Sequence, residues 1–270
     1  LRQKGPSLGI DISHNRIRIV KVEPVPHKTR RLVDYASVPI PPDYSRGTQQ
    51  FRGFLKDTLR KLCGPPGTIS LWAMLPMADV EVHNISVPKV ARKELHNVVL
   101  WSAKKEYPFD EEQTVFDFEI QGDVIESGIE KLGVLFYAAP KKDVDELKSL
   151  FTATGYPLTG VTVAPLALQN IFRTGWIPAH KRTVASLYIG RGWSRIDIFS
   201  EGNLVMTRGI KAGLNSMAES LIDEYAKWRE QAAASKEQTK ISGYQETVIE
   251  MAPAPEAVQL EQARELLQAL

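Results

Sequence analysis

The same order of elements is written twice in this chain, about 175 residues apart, and that repeat limits the fold more than any single motif. In the first copy, Ser7 to Ile12 alternates in character, with Leu8, Ile10 and Ile12 on one face. A polar turn, Ser13-His14-Asn15-Arg16, leads into Ile17 to Glu23, which makes the pair a hairpin. Leu32 to Ile40 reads as a third strand, stopped by Pro39, Pro41 and Pro42. Thr48 to Leu62 carries Phe51, Phe54, Leu55, Leu59 and Leu62 at helical spacing. Cys63-Gly64-Pro65-Pro66-Gly67 ends that helix, and Thr68 to Leu75 returns as a strand. In the second copy, Thr183 to Ile189, Arg195 to Phe199 and Leu204 to Ile210 are strands, and Ser216 to about Ala234 is a helix. Its turns are Gly190-Arg191-Gly192-Trp193 and Glu201-Gly202-Asn203. The two copies predict an α/β chain of two related lobes facing each other across a cleft.

The residues between the copies have their own rhythm. Val80 to Val87, Thr114 to Gln121 and Lys131 to Ala139 read as strands, with Gly122 to Gly128 as a hairpin region. Arg92 to Tyr107 is a helix with Leu95, Val98, Val99 and Ser102 on one side; Lys142 to Thr154 is another, and Leu158 to Val163 a closing strand. This block is a small α+β insertion, and Pro165 to Arg173 is a short helix linking the lobes. The expected domains are therefore a first lobe from 1–78 and 156–178, an insertion at 79–155, and a second lobe at 179–270. Gln231 to Gly243, polar and Ala-rich, reads as a linker or mobile loop. Val258 to Leu270 reads as a last amphipathic helix, with Leu260, Ala263, Leu267 and Leu270 on a stripe expected to pack on the second lobe.

Charge and cysteine content exclude several classes. A net charge of +2 gives no electrostatic footprint for a nucleic-acid partner. Basic clusters such as Lys28-Thr29-Arg30-Arg31 and Lys104-Lys105 read as solvated faces. The single cysteine, Cys63, has no internal disulfide partner, which fits a reducing cytoplasm. No apolar run approaches the ~20 residues that cross a bilayer, so direct membrane insertion is not expected. The opening Leu-Arg-Gln-Lys-Gly-Pro has neither an initiator Met nor a signal pattern and reads as a trimmed end.

Several stretches, in order, resemble the type IV pilus assembly protein PilM family. Leu8-Gly9-Ile10-Asp11-Ile12 followed by Ile17-Arg18-Ile19-Val20 resembles the family's opening. Val87-Pro88, Glu94-Leu95, Glu106-Tyr107-Pro108-Phe109-Asp110 and Phe116-Asp117-Phe118 resemble its inserted subdomain. Ala139, Lys142-Asp143-Val144, Gly155-Tyr156 and Val163-Ala164-Pro165-Leu166-Ala167-Leu168 continue the likeness, which runs from about residue 7 to 215. The resemblance implies an actin-like α/β fold of duplicated, RNase H-like lobes, related to the cell-division protein FtsA, with an α+β insertion of the 1C type. It implies a cytoplasmic protein, peripheral at the inner membrane, that binds the N-terminal tail of a bitopic PilN-like membrane protein. Other pilus platform and motor components are implied as further partners. In such proteins the tail docks in a groove bordered by subdomains 1A and 1C, and no motif carries that groove over to particular residues here.

In actin-like ATPases two hairpin turns clasp the phosphates of ATP or ADP with Mg²⁺: glycines let backbone N–H groups approach, and strand-end aspartates serve the metal or a water. The candidate nucleotide-binding residues carried over are Gly9, Asp11 and Ser13 in the first turn and Gly190, Gly192, Ser194 and Gly213 in the second lobe, with Asp11 also the candidate Mg²⁺ ligand. The first turn departs at Ser13, where glycine is usual, and at His14 and Asn15. The second departs further: Tyr188 stands where an aspartate is expected, Arg195 where another is frequent, and Trp193 where residues are small. Losing a carboxylate removes a metal or water ligand. No Gly-Gly-x motif follows Gly213, so the second lobe is expected to be incomplete. No catalytic residue is assigned, and a weak ATPase is the most these turns predict.

The leading expectation is thus a scaffold with a degenerate nucleotide cleft. The alternatives are a nucleotide-dependent switch or slow ATPase, resting on Gly9, Asp11, Gly190 and Gly192, and the actin-like domain of a type II secretion platform. Arg191 and Arg195 read as exposed hairpin charges, and Asp197 as a solvent-face carboxylate. Glu111-Glu112 and Asp143-Asp145 are explained as loop and helix-start acids. Trp72 and Trp176 read as core or boundary aromatics, and Trp101 as an exposed candidate partner contact.

Overall fold

The computed structural model describes residues 5–25, 30–67, 69–76, 80–177 and 182–241, with side chains to 232. Eleven strands and five helices are found among them. The first hairpin is β1 (Ser7–Ile12) and β2 (Arg16–Glu23), followed by β3 (Arg31–Pro39), α1 (Gln49–Cys63) and β4 (Ser70–Met74). The middle holds β5 (Glu81–Pro88), α2 (Arg92–Glu106), β6 (Thr114–Glu126), β7 (Ile129–Pro140), α3 (Lys141–Ala153), β8 (Gly160–Thr162) and α4 (Ala164–Arg173). The last part is β9 (Thr183–Ile189), β10 (Ser194–Ser200), β11 (Asn203–Ile210) and α5 (Leu214–Ile241). The strands form three sheets, ordered β3-β2-β1-β4-β8, β5-β7-β6 and β11-β10-β9. The repeat is visible in the first and last of these: each has a three-strand meander followed by a helix.

The chain divides into two compact units, one of residues 1–184 and 198–207, the other of residues 185–197 and 208–270. In the first, the β1–β2 register pairs Ile10 with Ile19 and Ile12 with Ile17, so all four face one core. Helix α1 lies on that face through Phe51, Leu55 and Leu59, each fully buried. Thr48 caps it by accepting from Phe51 N at 3.2 Å, and Gly64, at φ 71°, turns the chain out of its end. The second core of this unit lies between α2 and the β5-β7-β6 sheet, around Val87, Val99, Ala103, Val134 and Phe136.

Three expectations need correction. The stretch Gln231 to Gly243 is not a linker in the part described: α5 runs unbroken to Ile241. No Gly or Pro falls between Leu214 and Ile241, and Ala, Lys, Glu and Gln are strong helix formers. Its start at Leu214 also precedes the expected Ser216. The hairpin turn is not Gly122 to Gly128 but Ser127-Gly128 alone, at φ 51° and 78°, with β6 and β7 extending to either side. Gly122, at φ 133°, sits at the irregularity in the β6–β7 register. The helix expected at Val258 to Leu270 lies outside the described residues.

One close approach explains a glycine. Gly160 pairs with Trp72 in the β4–β8 ladder, and a Cβ there would come within 2.7 Å of the Trp72 ring. Gly160→Ala is expected to destabilise the chain by about 1–3 kcal/mol in urea unfolding followed by tryptophan fluorescence. The thiol of Cys63, packed in the main core, is pushed up to about 11 by burial. It should therefore react with a disulfide reagent at pH 8 far more slowly in the native chain than in urea.

Candidate functional site

The first turn joins β1 to β2 and is closed on itself. Ser13 N donates to Arg16 O at 2.8 Å, and Ser13 Oγ donates to the same carbonyl at 3.0 Å. Asp11 sits half-exposed on the open face, where Arg18 Nη1 donates to its Oδ2 at 3.2 Å. Arg46, from the loop before α1, donates to Ile12 O and, at 3.3 Å, to Ser13 O. Burial lowers the Arg46 pKa from its ordinary value, an effect that Asp11 opposes. Gly9 pairs with Val20 on one side and Trp72 on the other, and a Cβ there would meet nothing within 4 Å. Packing within the chain therefore does not require glycine at this position. The first turn thus brings Gly9, Asp11 and Ser13 together, with a guanidinium from Arg46 that no local pattern announced.

The second turn is built from other contacts. Gly190 N donates to Trp193 O at 2.9 Å, folding the turn tightly. The N-terminus of α5 then closes on it: Leu214 N donates to Gly190 O at 2.9 Å, and Asn215 N to Arg191 O at 2.8 Å. Gly213 N donates to Ser216 Oγ at 2.9 Å, and Ser194 Oγ donates to Ala212 O at 2.7 Å. A Cβ on Gly213 would lie 2.7 Å from Arg191 O and 2.8 Å from Trp193 N, while one on Gly190 would lie 2.8 Å from Trp193 O. Glycine is needed at these two positions because backbone touches backbone. A Cβ at Gly192 would meet nothing within 4 Å. The amides that open a helix are its anion-binding groups. Those of Leu214 and Asn215 are taken by carbonyls of the turn.

Arg195 and Asp197 overturn their solvent-face reading. Both are buried, at 3% and 0% exposure, and Arg195 Nε donates to Asp197 at 2.8 Å. The Arg195 guanidinium also stands 5.7 Å from the Tyr188 ring centre and 5.9 Å from that of Trp193. The signal was present: residues two apart on a strand share a face, so an Arg-x-Asp pair can meet. In the first unit, a polar cluster also went unread. Fully buried Gln169 accepts from Leu204 N at 2.7 Å and donates to Glu119 at 2.8 Å, and Arg173 joins Glu119 to Asn203. Among the described residues no group of three or more His, Cys, Asp or Glu side chains is placed to hold a metal.

A third feature lies in the insertion. A hollow of about 180 Å³ opens between α2 and the start of β6, lined by His96, Leu100, Phe109, Glu111, Thr114 and Phe116. Phe109 stacks on Phe116 at 5.6 Å, and Lys104 Nζ donates to Glu111 at 2.6 Å. Trp101, 63% exposed, stands on the same helix with Lys104 over its ring at 5.1 Å.

The twice-used meander and helix, with an α+β block between the copies, define an actin-like α/β protein. The chain belongs to the type IV pilus assembly protein PilM family, whose model matches residues 9–267. Its fold is similar to that of a chain in the PilM-PilN type IV pilus biogenesis complex, with 21% identity and a TM-score of 0.62 over 84% of this chain and 67% of that one. Weaker likenesses include the cytoplasmic domain of EpsL, an inner-membrane component of the type II secretion system of Vibrio cholerae (13% identity, TM-score 0.46, 79% and 73% covered). Another is a Bacteroides thetaiotaomicron protein with an actin-like ATPase fold (10% identity, TM-score 0.42, 85% and 78% covered). Among the described residues no helix is long and apolar enough to cross a membrane.

The buried Arg195–Asp197 pair generates one prediction. Asp197→Ala strands a buried guanidinium and is expected to cost about 3–5 kcal/mol in urea unfolding, whereas the double change Arg195→Met with Asp197→Leu restores most of the loss.

Proposed function

We propose that this chain is a scaffold of the type IV pilus inner-membrane platform, which captures the N-terminal cytoplasmic tail of a PilN-like membrane protein. On this reading it is cytoplasmic and held at the inner membrane through that partner. Other platform and motor components gather on it. Residues 1–78 and 156–178 form the first lobe, 79–155 the insertion, and 179–270 the second lobe. Family membership supports the machine, and the solved PilM-PilN complex supports the partner.

The observation that carries the scaffold reading over a motor is the second turn. The α5 amides that would meet a phosphate donate to Gly190 O and Arg191 O, and the Ser194 hydroxyl donates to Ala212 O. As built, Gly190, Ser194 and Gly213 do not fit a phosphate; of the proposed second-turn set, Gly192 alone remains open. The first turn fits better, because Arg46 brings a positive charge and Asp11 keeps a half-exposed carboxylate. ATP or ADP with Mg²⁺ is therefore proposed to contact Gly9, Asp11 and Ser13 weakly, with no vigorous hydrolysis.

Calorimetric titration with a synthetic tail peptide of the cognate PilN-like protein is expected to show micromolar binding. Its absence, with the chain folded, would reject the scaffold role. Mg²⁺·ATP turnover is expected at background level, and Asp11→Ala should weaken any nucleotide binding several-fold. Unchanged nucleotide affinity in Asp11→Ala would remove Asp11 from the site.

A further inference from the structure

We infer that the outer edge of β6 between Thr114 and Phe118, together with the hollow beside it, receives an extended basic segment of the membrane partner by strand addition. The inference rests on the scaffold reading and names where on this chain the partner would dock.

Strand β6 is an edge strand: its sheet runs β5-β7-β6, and among the described residues no strand pairs with its outer side. Edges of this kind template an incoming strand unless they are blunted. The far half of β6 is covered, since Asn203 Nδ2 donates to Gln121 O at 3.4 Å. The near half is open and guarded by one device. Asp117 Oδ1 accepts from the N–H of its own neighbour, Phe118, at 2.8 Å. A carboxylate thus stands where the carbonyl of a paired strand would otherwise accept. A neutral segment would have to displace that charge with no compensation. One carrying Lys or Arg could draw the Asp117 carboxylate into an ion pair and leave Phe118 N–H to its own carbonyl.

The surroundings select the same partner. Successive side chains of β6 alternate in direction. Phe116 and Phe118 pack against the α2 core, while Asp117 points the other way and is exposed. An added strand must alternate likewise. Its apolar residue would enter the hollow over Phe109 and Phe116, and the residue next to it would face Asp117. The hollow, about 180 Å³, suits one leucine, isoleucine or phenylalanine side chain. The polar groups at its rim are His96, Thr114 and Glu111, the last bonded to Lys104. Asp110 and Glu112, exposed on the approach to β6, add negative charge. Trp101 supplies a flat exposed ring on α2, the helix that walls the hollow. Acidic edge, apolar hollow and exposed aromatic together match an extended segment with an apolar residue beside a basic one.

The test is titration of the chain with the synthetic tail peptide at two salt concentrations, using Leu100→Trp to fill the hollow and Asp117→Lys to reverse the edge charge. Leu100→Trp is expected to weaken binding about tenfold or more, as loss of a central anchor does. Asp117→Lys should weaken it several-fold at low salt and less at high salt. Both variants should keep the melting temperature of the unaltered chain within a few degrees, which separates docking from folding. If the peptide binds both variants as it binds the unaltered chain, this inference falls and the scaffold reading stands. If it binds none of them, both fall. If the unaltered chain dimerises and Leu100→Trp abolishes only that, the occupant is a second copy of the chain and the inference is overturned.

Discussion

Seven consecutive residues of β7, Gly133 to Ala139, are buried, and the first unit depends on them. A strand presents alternate residues to opposite sides, so a continuous buried run must be covered on both. Leu135, Tyr137 and Ala139 face the core built on β1 and α1. Val134, Phe136 and Ala138 face the core under α2. The strand therefore belongs to two cores at once. The proposed insertion is consequently no loosely tethered appendage: its sheet and the first sheet share a wall. A surface carried on β6 and α2 inherits that rigidity, which is what a platform requires of a docking face.

The second unit shows how a phosphate-binding geometry can become a structural joint. Close backbone approach is what glycines provide at phosphate turns. Gly190 and Gly213 retain that property, yet the group approached is the chain itself. The helix amides end on turn carbonyls, and beside them Arg195 lies buried with Asp197 among Tyr188 and Trp193. Each contact alone is ordinary. Together they satisfy the donors a nucleotide would need and leave the first turn, with Arg46 and Asp11, as the more receptive half. Retained glycines are thus a poor guide to retained ligands.

Much of the fold could be read from periodicity, because burial on one face leaves a regular imprint. Leu8, Ile10 and Ile12, and Phe51, Leu55 and Leu59, sit where their spacing placed them. The exposure of Trp101 also followed from its position off the apolar side of α2. The end of α5 was misplaced because a polar, Ala-rich stretch suits a linker and a solvated helix equally, and only the missing Gly and Pro distinguish them. Candidate site residues were legible as types and not as environments. Nothing local in the sequence shows that Arg46 reaches a turn 33 residues away. Nor could the closure of α5 on Gly190 be read, since it joins residues far apart in the chain. Gln169 and Arg173 likewise acquire meaning only when α4 meets β6 and the β10–β11 turn.

The central claim is that partner capture does not depend on a working nucleotide cleft, and it has a direct test. Two ligands whose sites are uncoupled leave each other's affinities unchanged, whereas a switch must alter the affinity of one by its occupancy with the other. The tail peptide should be titrated into the chain with no nucleotide, with saturating Mg²⁺·ADP and with saturating Mg²⁺·ATP. The account predicts dissociation constants that agree within about twofold across the three conditions, below a coupling of any consequence. A change of about tenfold or more between any two would contradict it and make the cleft a regulator of the platform.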